Sequence, residues 1–156
     1  MLEKRDVSGD YKFSTKEKGG KVYKQASGEL GHPDTTLQHH DPEARRAVSG
    51  GTGDDAGHLI KKSAGAPEDV RNLSRQNWIS NRIGSWRSLE KTWDAKQRSG
   101  IKINVTVTDV TKKGEKRPYW RHVEWTETSI NGTVMRDSAD FLNTTSKRGR
   151  EQEGVK

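Results

Sequence analysis

Apolar residues recur with two different periods in the second half of the chain. Ile79, Ile83, Trp86, Leu89 and Trp93 follow one another at steps of four, three, three and four. That spacing lays one apolar stripe along a helix and predicts α-helix over Ile79–Gln97. Asn77 or Ser80 could cap its start, and Gly100 ends it. Ile101, Ile103, Val105 and Val107 then alternate with polar neighbours, the period of a strand with one buried face. A second strand is predicted at Tyr119–Glu127, with Tyr119, Val123 and Trp125 on one face. Asn131-Gly132 is a hairpin-turn dipeptide leading into a short strand at Thr133–Met135.

The first half is more polar and punctuated by glycine. Tyr11 and Phe13 alternate with polar residues, and Val22 and Tyr23 follow a Gly19-Gly20 turn, so a short hairpin is expected. Turn residues dominate from Gly28 to Gly53. One helical turn is expected in residues 41–48, with Asp41 as cap and Pro42 at the first helical position. The pattern therefore predicts an α+β fold: a loop-rich part over residues 1–53, a central segment over 54–100 with one long helix, and an antiparallel sheet over 101–143. Residues 144–156 read as a flexible basic tail.

Composition narrows this picture. At 156 residues there is room for one domain, and an apolar share of 28% makes its core small. The net charge is +7, with balances of +1, +3 and +3 over residues 1–53, 54–100 and 101–156, so the positive field belongs to the later two thirds. A polyanion, nucleic acid or an acidic protein, is the partner such a field favours. There is no cysteine, which excludes a disulfide scaffold, a thiolate zinc site and a cysteine nucleophile. No apolar run approaches the ~18 residues that cross a bilayer, so no membrane association is expected. The opening ten residues have no signal-peptide character; if the protein is exported, something else carries it.

The candidate chemistry lies in residues 53–93. Asp55-Ala56-Gly57-His58 stands at the end of an expected short apolar strand (Leu59, Ile60); a Gly65-Ala66-Pro67 loop follows, then Asn72-Leu73, Gln76 and Asn81. A histidine beside a glycine at a strand end is accessible, and with a reference pKa of ~6.5 it is largely neutral at pH 7, able to take a proton from water. Asn81, expected in the first helical turn, offers an amide oxygen suited to Mg2+. Strand–loop–strand–helix would bring both to one side. A base and a hard cation are the minimum for hydrolysing a phosphodiester.

These residues resemble the DNA/RNA non-specific endonucleases of the ββα-metal (His-Me finger) superfamily. The family pattern is Asp-Arg-Gly-His, then Asn-Leu-x-Pro-Gln, an Asn five residues on, a Trp and a Leu/Met-Glu pair. Here they correspond to Asp55-Ala56-Gly57-His58, Asn72-Leu73-Ser74-Arg75-Gln76, Asn81, Trp86 and Leu89-Glu90; Gly28–Leu30, Arg117-Pro118 and Asn143 fit more loosely. Two positions depart: Ala56 replaces the family's arginine and Arg75 its proline. The resemblance implies a single nuclease domain over residues 1–143, with a ββα-metal core at 54–100. It implies metal-dependent cleavage of DNA, with RNA an open alternative substrate, and Mg2+ (or Mn2+) as cofactor. His58 would be the general base and Asn81 the metal ligand; Glu90 would sit on the metal or its water, orient an arginine, or be solvated. Arg82 and Arg87 are candidates for the missing arginine, with Arg71 and Arg75 nearby. Asp55, Gly57, Asn72 and Gln76 would support the site, Asn72 and Gln76 as loop-closing amides. Lys61, Lys62 and Arg75 would bind nucleic acid.

The competing readings are plainer. The tryptophan stripe is core rather than a base-stacking platform, His39-His40 is a polar loop rather than a zinc site, and Lys61, Lys62, Arg148 and Arg150 could be a solvated face. A small, basic, cysteine-free nuclease also resembles the toxin module of a bacterial polymorphic toxin. That implies a larger carrier or secretion apparatus, a cognate immunity protein, and delivery into the cytoplasm of a target cell. The alternative is a nuclease-derived module that binds nucleic acid without cutting it.

Overall fold

In the computed structural model, which describes residues 2–8, 11–34, 42–49, 54–67, 70–76, 84–143 and 154–155, the scaffold is one antiparallel sheet. Its strands are β1 (Leu2–Ser8), β2 (Tyr11–Lys18), β3 (Lys21–Glu29), β6 (Lys102–Lys112), β7 (Trp120–Thr128), β8 (Val134–Leu142) and β9 (Gly154–Val155), side by side in that order. Between β3 and β6 the chain leaves the sheet. It forms helix α1 (Pro42–Ser49), a small hairpin of β4 (Asp55–His58) and β5 (Leu73–Gln76), and helix α2 (Ser85–Arg98). The result is α+β, with a ββα finger carried on a sheet.

Alternation decides which side of the sheet is covered. Phe13, Ala26, Val107, Val123 and Ala139 stand in register across β2, β3, β6, β7 and β8, and all are buried. Their strand neighbours point the other way: Lys102 and Asn104 on β6 are exposed, while Ile103 and Val105 are buried. The covered face receives α2, whose Trp86, Leu89, Glu90, Trp93 and Gln97 form one buried stripe. Trp86 meets Phe141 and Trp93 edge-on at 5.5 and 5.8 Å, and Trp93 meets Trp125 at 5.4 Å. Edge-to-face pairs of this kind add about 0.5–1.5 kcal/mol beyond their buried area. The tryptophan stripe is core, as its spacing suggests.

Several expectations change. Residues 1–53 are not chiefly loop: β1, β2 and β3 occupy most of the first 29 residues. Their pattern is weak because only one face packs, and the described buried apolar residues there are few, Tyr11, Phe13 and Ala26; the edge they complete is templated by the strongly alternating β6. The helical turn expected at 41–48 is the two-turn helix α1, with Pro42 at its first position. Helix α2 begins at Ser85, with extended Gly84 as N-cap and no side-chain cap, rather than at Ile79. Asn77, Ile79, Ser80 and Ile83 lie outside the described residues, as do Asp41 and His39-His40. Gly100 does end the helix, at φ 96°, a conformation that favours glycine. Leu59 and Ile60 follow β4 in a bend, still buried. The strand after Asn131-Gly132 runs to Leu142, well past Met135. Gly154–Val155 of the expected flexible tail pair with β8, at Ala139 and Asp140; residues 144–153 lie outside the described residues.

Candidate active site

The finger is a ladder of four pairs: Asp55 with Gln76, Ala56 with Arg75, Gly57 with Ser74, and His58 with Leu73. The long connection between its strands is closed by Asn72, which is fully buried. Its Oδ1 accepts from the Ile60 amide at 2.9 Å, and its Nδ2 donates to the carbonyls of Ile60 at 2.6 Å and Pro67 at 3.0 Å. A buried amide with three such bonds fixes where β4 ends. His58 is the last residue of β4 and is half-buried, with Nε2 turned into the protein. The neighbouring Asp55 is half-buried and Gly57 buried.

A buried ion pair sits behind His58. Arg121 of β7 donates through Nε and Nη2 to the two carboxylate oxygens of Asp109 on β6, at 2.6 and 2.8 Å. Its Nη1 donates to the His58 carbonyl at 3.1 Å, and its guanidinium lies over the Trp86 ring at 4.7 Å. Breaking such a pair from one side strands a buried charge, so Arg121 is a rigid clamp on the end of β4. Sequence reasoning missed both residues. Their signal was an Asp and an Arg at inward positions of two alternating strands, 109 in step with 103, 105 and 107, and 121 in step with 123 and 125.

Glu90 faces the same neighbourhood from α2. It is buried, and burial pushes its carboxyl up to about 7 from the usual 4.5, although Lys61, Arg87 and Arg121 pull it down; Asp94 adds to the rise. Arg87 is half-buried one helical turn before it in the chain's approach. Lys61, a candidate nucleic-acid contact or part of a solvated face, has a mostly buried side chain bonded to Asp94 of α2. Lys62 opens a short 3-10 turn and is half-buried. Gln76 is buried beside Asp109, Arg121 and Asn143, and its Oε1 makes no hydrogen bond among the described residues. Asn81 and Arg82 lie outside the described residues.

Two loosely matching downstream positions touch the finger. Arg117 donates through Nε to Asp54 at 2.9 Å, and a second bond runs from its Nη2. Asn143 donates to the Arg75 carbonyl at 2.8 Å. Arg75 itself donates through Nε to the Val48 carbonyl at the end of α1, at 3.3 Å. Among the described residues no group of three or more His, Asp or Glu is placed to hold a metal ion. Among the described residues, the buried Glu90 carboxyl is an oxygen donor whose charged form a nearby cation would stabilise. No described helix is long and apolar enough to cross a membrane.

The family model for DNA/RNA non-specific endonucleases matches residues 3–129. The type VII secretion system protein EssD of Staphylococcus aureus, in strains USA300 and Newman, is 36% identical over 84 residues. That alignment covers 51% of this chain but only 13% of EssD. A chain of the crystal structure of the EndoG/EndoGI complex, which describes inhibition of EndoG, superposes with a TM-score of 0.63. It is 12% identical and covers 99% of this chain and 79% of that one, a likeness of fold.

Proposed function

Because this chain belongs to the DNA/RNA non-specific endonuclease family, we propose that it hydrolyses phosphodiester bonds of DNA, and of RNA, at the ββα finger, with His58 as general base. The observation that carries the reading is the position of His58: half-exposed at the end of β4, its backbone clamped by Arg121, inside the segment matched by the family. The His58 imidazole takes the proton as water attacks phosphorus. The P–O3′ bond breaks, and the 3′-oxygen leaves with a proton drawn from solvent. Arginine supplies donors to the phosphate oxygens, with Arg82 and Arg87 the candidates nearest the helix start. Asn81 would hold the divalent ion, Mg2+ or Mn2+, with Glu90 on its water shell. When bound, such an ion neutralises charge that develops on the phosphate. Asp55, Gly57, Asn72 and Gln76 keep the finger in shape, and phosphate contacts give affinity without reading sequence.

The setting we propose is a bacterial effector or toxin module. The local likeness to a type VII secretion protein supports delivery by a larger carrier into a target cell, and the fold shared with a chain of an inhibited EndoG complex supports a cognate inhibitor. An acidic inhibitor would gain association rate from the +7 charge.

The test is plasmid nicking with Mg2+ against EDTA, for the parent, His58→Ala and Asn81→Ala. The parent should cut only with the metal, and His58→Ala should lose about 10²–10⁴-fold in rate while remaining folded. Asn81→Ala should be rescued in part by more Mg2+. Equal rates for parent and His58→Ala would overturn the base assignment. A parent that binds but never cuts would leave the nucleic-acid-binding reading, which the alanine at position 56 favours.

A further inference from the structure

A groove of about 590 Å³ opens beside the finger, between the β2–β3 hairpin, the end of α1, β5 and the connection from β6 to β7. Phe13 and Val22 contribute apolar surface, and Lys24, Arg71, Arg75 and Lys116 contribute four cations. Among its described lining residues there is no carboxylate. The cations come from four separate elements, so no single helical or strand periodicity brings them together; the fold does.

Three of them are held in place. The Lys24 ammonium donates to the carbonyls of Val70 and Leu73, tying β3 to the finger. The Arg71 guanidinium lies over the Phe13 ring at 5.3 Å. Arg75 is held at Nε by the Val48 carbonyl, which leaves its two terminal nitrogens as the fork that suits a phosphate. Lys116 is exposed at the rim.

The register of the finger joins this groove to His58. Residues directly opposite in an antiparallel ladder project to the same face, and so do residues two apart along a strand. Leu73 stands opposite His58 and Arg75 opposite Ala56, so Arg75 and His58 share a face, about 7 Å apart along the strand. Ala56 offers only a methyl group opposite Arg75.

We propose that this groove binds the phosphodiester backbone of the strand being cut, with Arg75 as the residue that carries the contact from the groove to the phosphate at His58. The inference rests on the nuclease reading above and moves the basic track away from Lys61, which Asp94 neutralises, to Lys24, Arg71, Arg75 and Lys116.

Binding and cutting test it separately. Fluorescence anisotropy with labelled DNA and RNA oligonucleotides of equal length reads binding by the His58→Ala protein. On that background, Lys116→Glu with Arg75→Gln should weaken both oligonucleotides roughly tenfold or more and flatten the slope of log K against log salt by about 1 to 2. Lys102→Glu, on the exposed face of β6, is the control and should change binding by less than about twofold, since long-range field is screened over ~8–10 Å. Equal losses for groove and control variants would overturn the groove as a site, and a loss with only one oligonucleotide would overturn backbone recognition. In the active protein, Arg75→Ala should lower kcat, and Ala56→Arg in the same chain should restore it, because the two positions face each other across the ladder. Arg75→Ala that folds by circular dichroism and cuts at the parent's rate would overturn the role of Arg75. A parent that never cuts would sink the nuclease reading and still leave the binding comparison decisive for the groove.

Discussion

Glu90 carries a carboxyl group into a largely desolvated place, beside three cations that offset only part of the loss. Its folded pKa of about 7 against 4.5 fixes the sign of the consequence. Below pH 4.5 the group is neutral in both states and costs nothing. Between 4.5 and about 7 the unfolded chain gives up its proton first, so stability falls as pH rises, and above about 7 the loss is complete. Glu90→Gln should therefore melt higher than the parent at pH 8 in EDTA, by several degrees at ~2–4 °C per kcal/mol, with the gap closing toward pH 4.5. A gap that stays constant with pH would assign the effect to packing instead. At this scale the sequence was legible where a residue type sat in an ordered motif. Asn72, read as a loop-closing amide, closes the loop with three bonds. Arg121 and Asp109 were not legible, because nothing in the spacing from 58 to 121 says that two strands will pass behind the finger. The Lys61–Asp94 pair was not legible either, because its partners lie 33 residues apart.

Among elements, those with long and regular patterns were the readable ones. Helix α2 and strand β6 bury nearly every apolar residue on one side, and their periods stand out. The β2–β3 hairpin was legible at its Gly19-Gly20 turn, but its length was not: the strands have few apolar anchors, and β3 gains its second partner only in the distant β6, a tertiary effect that local pattern cannot carry. The start of α2 shifted because Gly84 is a poor helix former and takes an extended conformation. The joint between β3 and the finger rests on close backbone approach. The Gly31 amide donates to the Ala64 carbonyl at 3.1 Å and also reaches the Tyr11 hydroxyl at 3.0 Å. A Cβ at Gly31 would stand 2.5 Å from the Ala64 carbonyl oxygen. Gly31→Ala should thus destabilise by about 1–3 kcal/mol, read as a lower urea midpoint with an unchanged m-value. An unchanged midpoint would mean that the 3-10 turn at Lys62–Ala64 shifts at no cost.

For the molecule as a whole, the finger and the sheet are unequal partners. The sheet continues straight across the excursion, from Glu29 to Asn104, and the finger's helix finds its packing on Phe141 and Trp125 of strands that come later in the chain. A four-pair hairpin and a 14-residue helix are each marginal alone in water. A peptide of residues 54–100 should therefore show little helix by far-UV circular dichroism and be cut rapidly by trypsin. Helix content near that of the intact protein would mean that the finger is autonomous. The +7 charge, read from composition, gave the class of partner but not the face; that needed four cations from separate elements to converge.

The two ends of the excursion are bound to each other: the Leu30 amide donates to the Ile103 carbonyl at 2.8 Å, so departure and return share one rung of the sheet. Insertions or deletions between those points change the length of a loop whose anchor positions stay fixed, and loop closure grows only slowly with length. Divergence can lengthen or trim the approach to the finger without moving a single strand out of register. A lineage built on this plan can thus explore new rims around the cut while the frame that holds His58 is inherited unchanged.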